Sequence, residues 1–166
     1  MTVICSSAFS ISPVIVIKSG DSVIPIGQKV LFWEDSTATM TIDQVSEEAN
    51  QNSFSPHLSE VFNQKASQNA IWFKVIIQNE SQEDLWLEVG GGLACWDLEF
   101  YEVDSNGTNK IITKTGAFHP NNRENWANFL WLPLSRRNDS STHTYFIRVN
   151  SQLTKEYPLV IGSYKA

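Results

Sequence analysis

Two carboxylates, Asp97 and Glu99, stand two residues apart in the alternating run Trp96-Asp97-Leu98-Glu99-Phe100-Tyr101. Side chains on a strand repeat every second residue, so a strand here puts Asp97, Glu99 and Tyr101 on one face. Paired carboxylates on one face are the raw material of a glycosidase, which needs one protonated and one ionised acid. Nothing in the flanking residues signals the unequal burial that would separate their pKa values. A solvated strand face accounts for the pair, and no catalytic residue is assigned. His57, His119 and His143 are far apart and none has ligand spacing with a cysteine or another histidine, so no metal site and no cofactor is expected. Asp104 and Asn106 offer hard oxygen ligands, but without the charge pattern of a calcium loop. Cys95 has no histidine near it in sequence and reads as a small buried hydrophobe. Gly90-Gly91-Gly92 lacks the following helix that would make it a phosphate cradle and reads as a bend.

The aromatic residues are a stronger signal: six Trp, nine Phe and four Tyr. An indole offers a flat apolar face to a ligand, a sugar ring among others, while polar neighbours address its hydroxyls. Trp72 and Trp86 fall out of phase with the apolar residues of their runs, and Tyr101 shares the Asp97/Glu99 face. All three are therefore expected on an outer or concave sheet surface, with cover beneath a loop as the plain alternative. Arg123 and Trp126 belong to a loop dense in hydrogen-bonding groups, His119, Asn121, Asn122 and Asn125 among them. Trp72, Trp86, Tyr101, Arg123 and Trp126 are the candidate ligand contacts.

Positioning these groups falls to short apolar or alternating runs closed by Asn, Gly, Ser or Asp, the pattern of a strand-and-turn protein. About nine strands are expected, at residues 14–17, 30–33, 71–78, 85–89, 96–103, 110–115, 129–134, 144–150 and 159–163. Ile71, Phe73, Val75 and Ile77, like Leu85, Leu87 and Val89, are assigned to the core by alternation. Asp104-Ser105-Asn106-Gly107 marks a hairpin turn. Thr41 and Gln44 form a capping-box pair and predict a short helix. Residues 47–69, rich in Ser, Asn and Gln, are expected to form a long surface connection. The sequons at Asn79, Asn106 and Asn138 are expected on surface turns. The fold class is all-β, a two-sheet β-sandwich.

The 166 residues suit one domain, with 11–166 the sandwich and 1–10 a signal-peptide remnant or tail: Ala8-Phe9-Ser10 has the small-x-small cleavage pattern but no basic segment precedes it. Apolar residues make up 42% and charged residues 18%, enough burial to offset chain entropy. A net charge of −6 argues against a nucleic-acid partner.

The order of motifs resembles the type-two extracellular domain of bacterial seven-transmembrane receptors with diverse intracellular signalling modules. In order, these are Leu31-Phe32-Trp33-Glu34-Asp35, Met40-Thr41-Ile42-Asp43-Gln44-Val45, Phe54-x-Pro56, Ala70-Ile71-Trp72-Phe73-Lys74-Val75 with Asn79, and Trp86-Leu87-Glu88. Asp97-x-Glu99-x-Tyr101, Thr115-Gly116, Arg123, Leu132-Pro133-Leu134 and Tyr145-x-x-Arg148-Val149 follow. The resemblance spans roughly residues 14–163 and rests on order and spacing. It implies a jelly-roll-like sandwich similar to carbohydrate-binding modules. It also implies a periplasmic or extracellular location beside a parent protein embedded through helices outside this chain. The implied role is a sensor input domain, not an enzyme, for a small-molecule ligand such as a carbohydrate. Arg148 is expected to pair with a carboxylate and Arg123 to address a ligand. The alternative is a carbohydrate-binding or adhesion module of a secreted protein.

Overall fold

The computed structural model describes residues 13–90, 95–104, 106–119, 130–134 and 139–163. Two sheets face each other across the main core. The first is seven-stranded, ordered β4 (Ser55–Pro56), β3 (Leu31–Asp35), β6 (Ala70–Asn79), β11 (Thr142–Asn150), β8 (Asp97–Val103) and β9 (Asn109–Thr115), with β1 (Val14–Ile17) parallel to the end of β6. The second is five-stranded, ordered β10 (Leu130–Pro133), β7 (Leu85–Val89), β12 (Lys155–Ser163) and β2 (Val23–Pro25), with β5 (Val61–Gln64) on β12. Apart from β1, every pairing is antiparallel. The architecture is the expected sandwich.

Period-two alternation decides which side chains fill it. Ile71, Phe73, Val75 and Ile77 of β6 meet Leu85, Leu87 and Val89 of β7 in one cluster, with Leu98, Phe100, Ile147, Val149 and Ile161. Cys95 belongs to this cluster, and burial together with the charge of Asp97 pushes its thiol up to about 12, which removes it as a nucleophile at neutral pH.

The first sheet is covered on its outer face too. Trp72, Phe146 and Tyr101 point away from the main core and are buried under Val45 and Phe54, with Trp33, Met40 and Ile42 at the margin. This cover is carried by α1 (Ile42–Ser46), whose capping box has the Thr41 hydroxyl accepting from the Gln44 amide while the Gln44 side chain accepts from the Thr41 amide. The chain enters α1 through a strap tied down by Asp35. One carboxylate oxygen accepts from the Thr37 hydroxyl and the amides of Thr37 and Ala38, the other from the Met40 amide.

Three expectations need correction. Residues 47–69 are not an unstructured connection: they contain a 3-10 helix at Glu48–Ser53 and the short strands β4 and β5. Phe54 and Phe62 anchor the segment in the outer and inner clusters, so two apolar residues outweigh a polar composition. Twelve strands form instead of nine, the additions being β2, β4 and β5, two to four residues long. Asn79 is buried, not on a surface turn; it donates to the Glu83 carbonyl and accepts from the amide and hydroxyl of Ser81. Asn106 is exposed as expected, and Asn138 lies outside the described residues.

Candidate functional site

Strand β8 carries Asp97, Glu99 and Tyr101 outward, because Leu98 and Phe100 between them are core residues. Cross-strand register then assembles one row across the outer face: Trp33 opposite Trp72, Trp72 opposite Arg148, Arg148 opposite Glu99, and Glu99 opposite Lys114. Side chains of directly opposed residues lie on the same face within about 5 Å at Cβ, so these groups meet without any loop bringing them together.

The charges in this row are matched pairwise. Glu99 accepts from the Tyr101 hydroxyl at 2.5 Å and pairs with Lys114. Burial opposes ionisation of Glu99, but the hydrogen bonds from Lys114 and Tyr101, with the charges of Lys114 and Arg148, outweigh it and hold the carboxyl below its ordinary range. Burial and the bond to Glu99 raise the Tyr101 phenol above its ordinary value, so it remains a donor. Arg148 reaches Asp97 at 3.4 Å and donates to the Ala38 carbonyl at 2.7 Å, joining β11 to the strap. The expected carboxylate partner of Arg148 is therefore Asp97.

At the end of the row the network opens to solvent. His119 Nε2 lies 2.8 Å from Asp97 Oδ1, and both side chains are partly exposed. The turn after β9 makes this contact possible. Gly116 has φ +114°, and a Cβ there would sit 2.7 Å from the Trp96 carbonyl oxygen, so only glycine lets the two backbones approach. The amides of Ala117 and Phe118 donate to the carbonyls of Cys95 and Trp96. This folds Phe118 against Trp96, with ring centroids 5.5 Å apart, and leaves Phe118 67% exposed. An aromatic pair beside a carboxylate, an imidazole and a guanidinium forms a mixed rim able to stack on a ligand and address its polar groups.

The five sequence candidates do not converge. Trp72 is fully buried, so the expectation that it stands exposed is not met: the cover of α1 and Phe54 lies over it, and its ring stacks on Tyr101 at 6.0 Å. Its indole N–H has no acceptor among the described residues. Tyr101 is buried for the same reason and points to the same side. Trp86 lies on the outer face of the other sheet, half-buried, opposite Pro133 and Gly162. Arg123 and Trp126 lie outside the described residues. Sequence reading missed Trp96 and Phe118 as a pair, because their meeting depends on the Gly116 turn. It also passed over Trp131, whose outward direction the alternation of Leu130-Trp131-Leu132 signals.

A second polar cluster has the distances of a nucleophile, a base and its orienting acid. Ser141 Oγ is 2.9 Å from His143 Nε2, and His143 Nδ1 is 2.7 Å from Glu102 Oε1. Its chemistry is that of a turn. Ser141 gives its hydroxyl and amide protons to Asp139, whose other oxygen lies 2.9 Å from the same His143 nitrogen. The Ser141 bond holds the Asp139 carboxyl below its ordinary range, so it competes with His143 for the proton a nucleophile must give up. At the β8–β9 hairpin, Asp104 spends its carboxylate on the amides of Asn106 and Thr108. Among the described residues, no group of three His, Cys, Asp or Glu side chains could hold a metal ion, and no helix is long and apolar enough to cross a membrane.

The sequence matches the family model of the 7TMR-DISM extracellular 2 domain over residues 27–163. The chain belongs to this family. Its members are extracellular sensor domains of seven-transmembrane receptors, which places this domain on the periplasmic or extracellular side of the membrane. No curated protein sequence matches the chain. Among solved structures, that of TmCBM61 in complex with beta-1,4-galactotriose is similar, with 9% identity, 84% of this chain and 90% of that chain covered, and a TM-score of 0.41.

Proposed function

We propose that this domain is a non-catalytic input module that binds a small polar ligand at the rim formed by Trp96, Asp97, Phe118 and His119, and passes the event to its receptor. The observation that carries the site is Phe118: a large apolar ring two-thirds exposed, packed on a second aromatic ring and beside a partly exposed Asp97–His119 contact. Isolated exposed rings are common, but a stacked pair next to unsaturated polar groups suits a ligand with an apolar face and hydroxyl or amide edges, and carbohydrates are the first class to test.

Arg123 and Trp126, four and seven residues beyond His119 in sequence, remain proposed contacts of the same ligand. The network supplies a route for the signal. Asp97 is bonded to Arg148, and Arg148 to the strap that leads into α1, so a ligand that draws Asp97 away changes what holds the strap. A ligand transmits a signal only if it binds two states unequally, and the strap is the element whose position both states would contest.

The test is a thermal-shift screen against sugars, amino acids and organic acids. A ligand at about 100 times its dissociation constant stabilises the fold by roughly 2.7 kcal/mol. The reading requires at least one stabilising compound whose effect is lost in Phe118→Ala and His119→Ala. A screen with no stabilising compound, or one whose hits ignore both substitutions, removes it.

A further inference from the structure

The second sheet presents its own outward surface, and cross-strand register defines it. Trp86 of β7 lies opposite Pro133 of β10 and Gly162 of β12; Glu88 lies opposite Trp131 of β10 and Val160 of β12. Leu87, between Trp86 and Glu88, and Leu132, between Trp131 and Pro133, are core residues, so these six positions all face away from the sandwich. Trp131 is 41% exposed and Trp86 half-buried. At Gly162 an added Cβ would meet only the Ser22 carbonyl oxygen, at 3.9 Å, so the glycine leaves the flank of Trp86 bare.

We infer that this face is a platform for an uncharged oligosaccharide of two or more pyranose rings. The inference is independent of the rim site, which lies on the other sheet. Two indoles on neighbouring strands, diagonal to each other and roughly 7 Å apart, match successive sugar rings, whose C–H faces stack on an aromatic quadrupole. Glu88 between them accepts from hydroxyl groups. Flanking proline, valine and glycine keep the surface low, so an extended chain can lie across it.

Area and charge select this occupant. Four strands about 4.8 Å apart, with two outward positions about 7 Å apart on each, give a patch of roughly 200 Å². A stable protein interface buries about 800 Å² on each partner, so the face is too small to hold a second copy or another protein. Glu88 is the only charged group of the six, and the chain carries a net charge of −6. Both disfavour an anionic glycan, which leaves the uncharged ones.

The experiment is a glycan array of uncharged β- and α-linked oligosaccharides, followed by calorimetric titration of the hit and of its monosaccharide. Variants Trp86→Ala, Trp131→Ala and Glu88→Gln are compared with Leu58→Ser, at an exposed residue far along the chain, and with the conservative Trp86→Phe. Saturable binding is expected, at least tenfold weaker for the monosaccharide and for either alanine variant, and only mildly weakened in Trp86→Phe and unchanged in Leu58→Ser. The idea is overturned by an array with no saturable binding, by binding that survives loss of both tryptophans, or by self-association in light scattering that Trp86→Ala abolishes. Unchanged circular dichroism of each variant ties a loss to the face and not to unfolding.

Discussion

Replacing Arg148 with methionine keeps most of the side-chain volume and removes the guanidinium that joins three elements. The bond to the Ala38 carbonyl at 2.7 Å is a buried charge-assisted contact, worth about 1.5–3 kcal/mol. The contact to Asp97 at 3.4 Å is long and half-solvated, and adds no more than about 1 kcal/mol. Asp97 keeps His119, and Glu99 keeps Lys114 and Tyr101, so neither carboxylate is stranded. The expected cost is therefore about 2–4 kcal/mol, against the 0–1 kcal/mol of an exposed ion pair. For a domain of this length that lowers Tm by roughly 4–16 °C. Urea unfolding followed by tryptophan fluorescence measures it, with the slope unchanged if only the folded state is affected. Arg148→Lys retains the charge without the fork and should lose about half as much. A loss below about 1 kcal/mol for the methionine variant would refute the view that Arg148 holds the strap.

Gly116→Ala places a Cβ 2.7 Å from a carbonyl oxygen at a φ that alanine resists, and should cost about 2–4 kcal/mol while releasing Phe118 from Trp96, seen as a change in near-ultraviolet dichroism. Asp35 loses some ground to burial, yet the Thr37 side chain and the amides of Met40, Thr37 and Ala38 bring its carboxyl below the ordinary value. A depressed folded pKa means that its contribution is complete above about pH 4 and lost as the pH falls through the lower folded value. Asp35→Asn should cost about 1–3 kcal/mol at pH 7 and flatten the acid limb of the stability curve. Equal acid sensitivity in variant and parent would show that Asp35 does not hold the strap.

Strands β6 and β7 were legible because their alternation is long and unbroken, and it fixed Ile71, Phe73, Val75, Ile77, Leu85, Leu87 and Val89 in the core. The capping box was legible because Thr41 and Gln44 act within one turn. Strands β2, β4 and β5 were not, since a run of two to four residues carries no period and takes its shape from a neighbour. Trp72 shows the limit most clearly. Its direction, away from the main core, follows from alternation; its burial depends on Phe54 and Val45 folding back over the sheet, a long-range fact that no local pattern contains. The rim shares this limit, because Trp96 and Phe118 meet only through a backbone approach that Gly116 permits.

The account's central claim is that a ligand enters at the rim of β8 and β9. Titrating the isotope-labelled domain with the strongest stabilising compound of the screen, and following backbone amides and indole N–H groups by two-dimensional NMR, tests it most directly. The account predicts saturable shifts centred on Trp96, Asp97 and residues 116–119, with a weaker response at Ala38 and Met40 through Arg148. Shifts confined to other surfaces, with residues 96–97 and 116–119 unmoved at saturation, would contradict it.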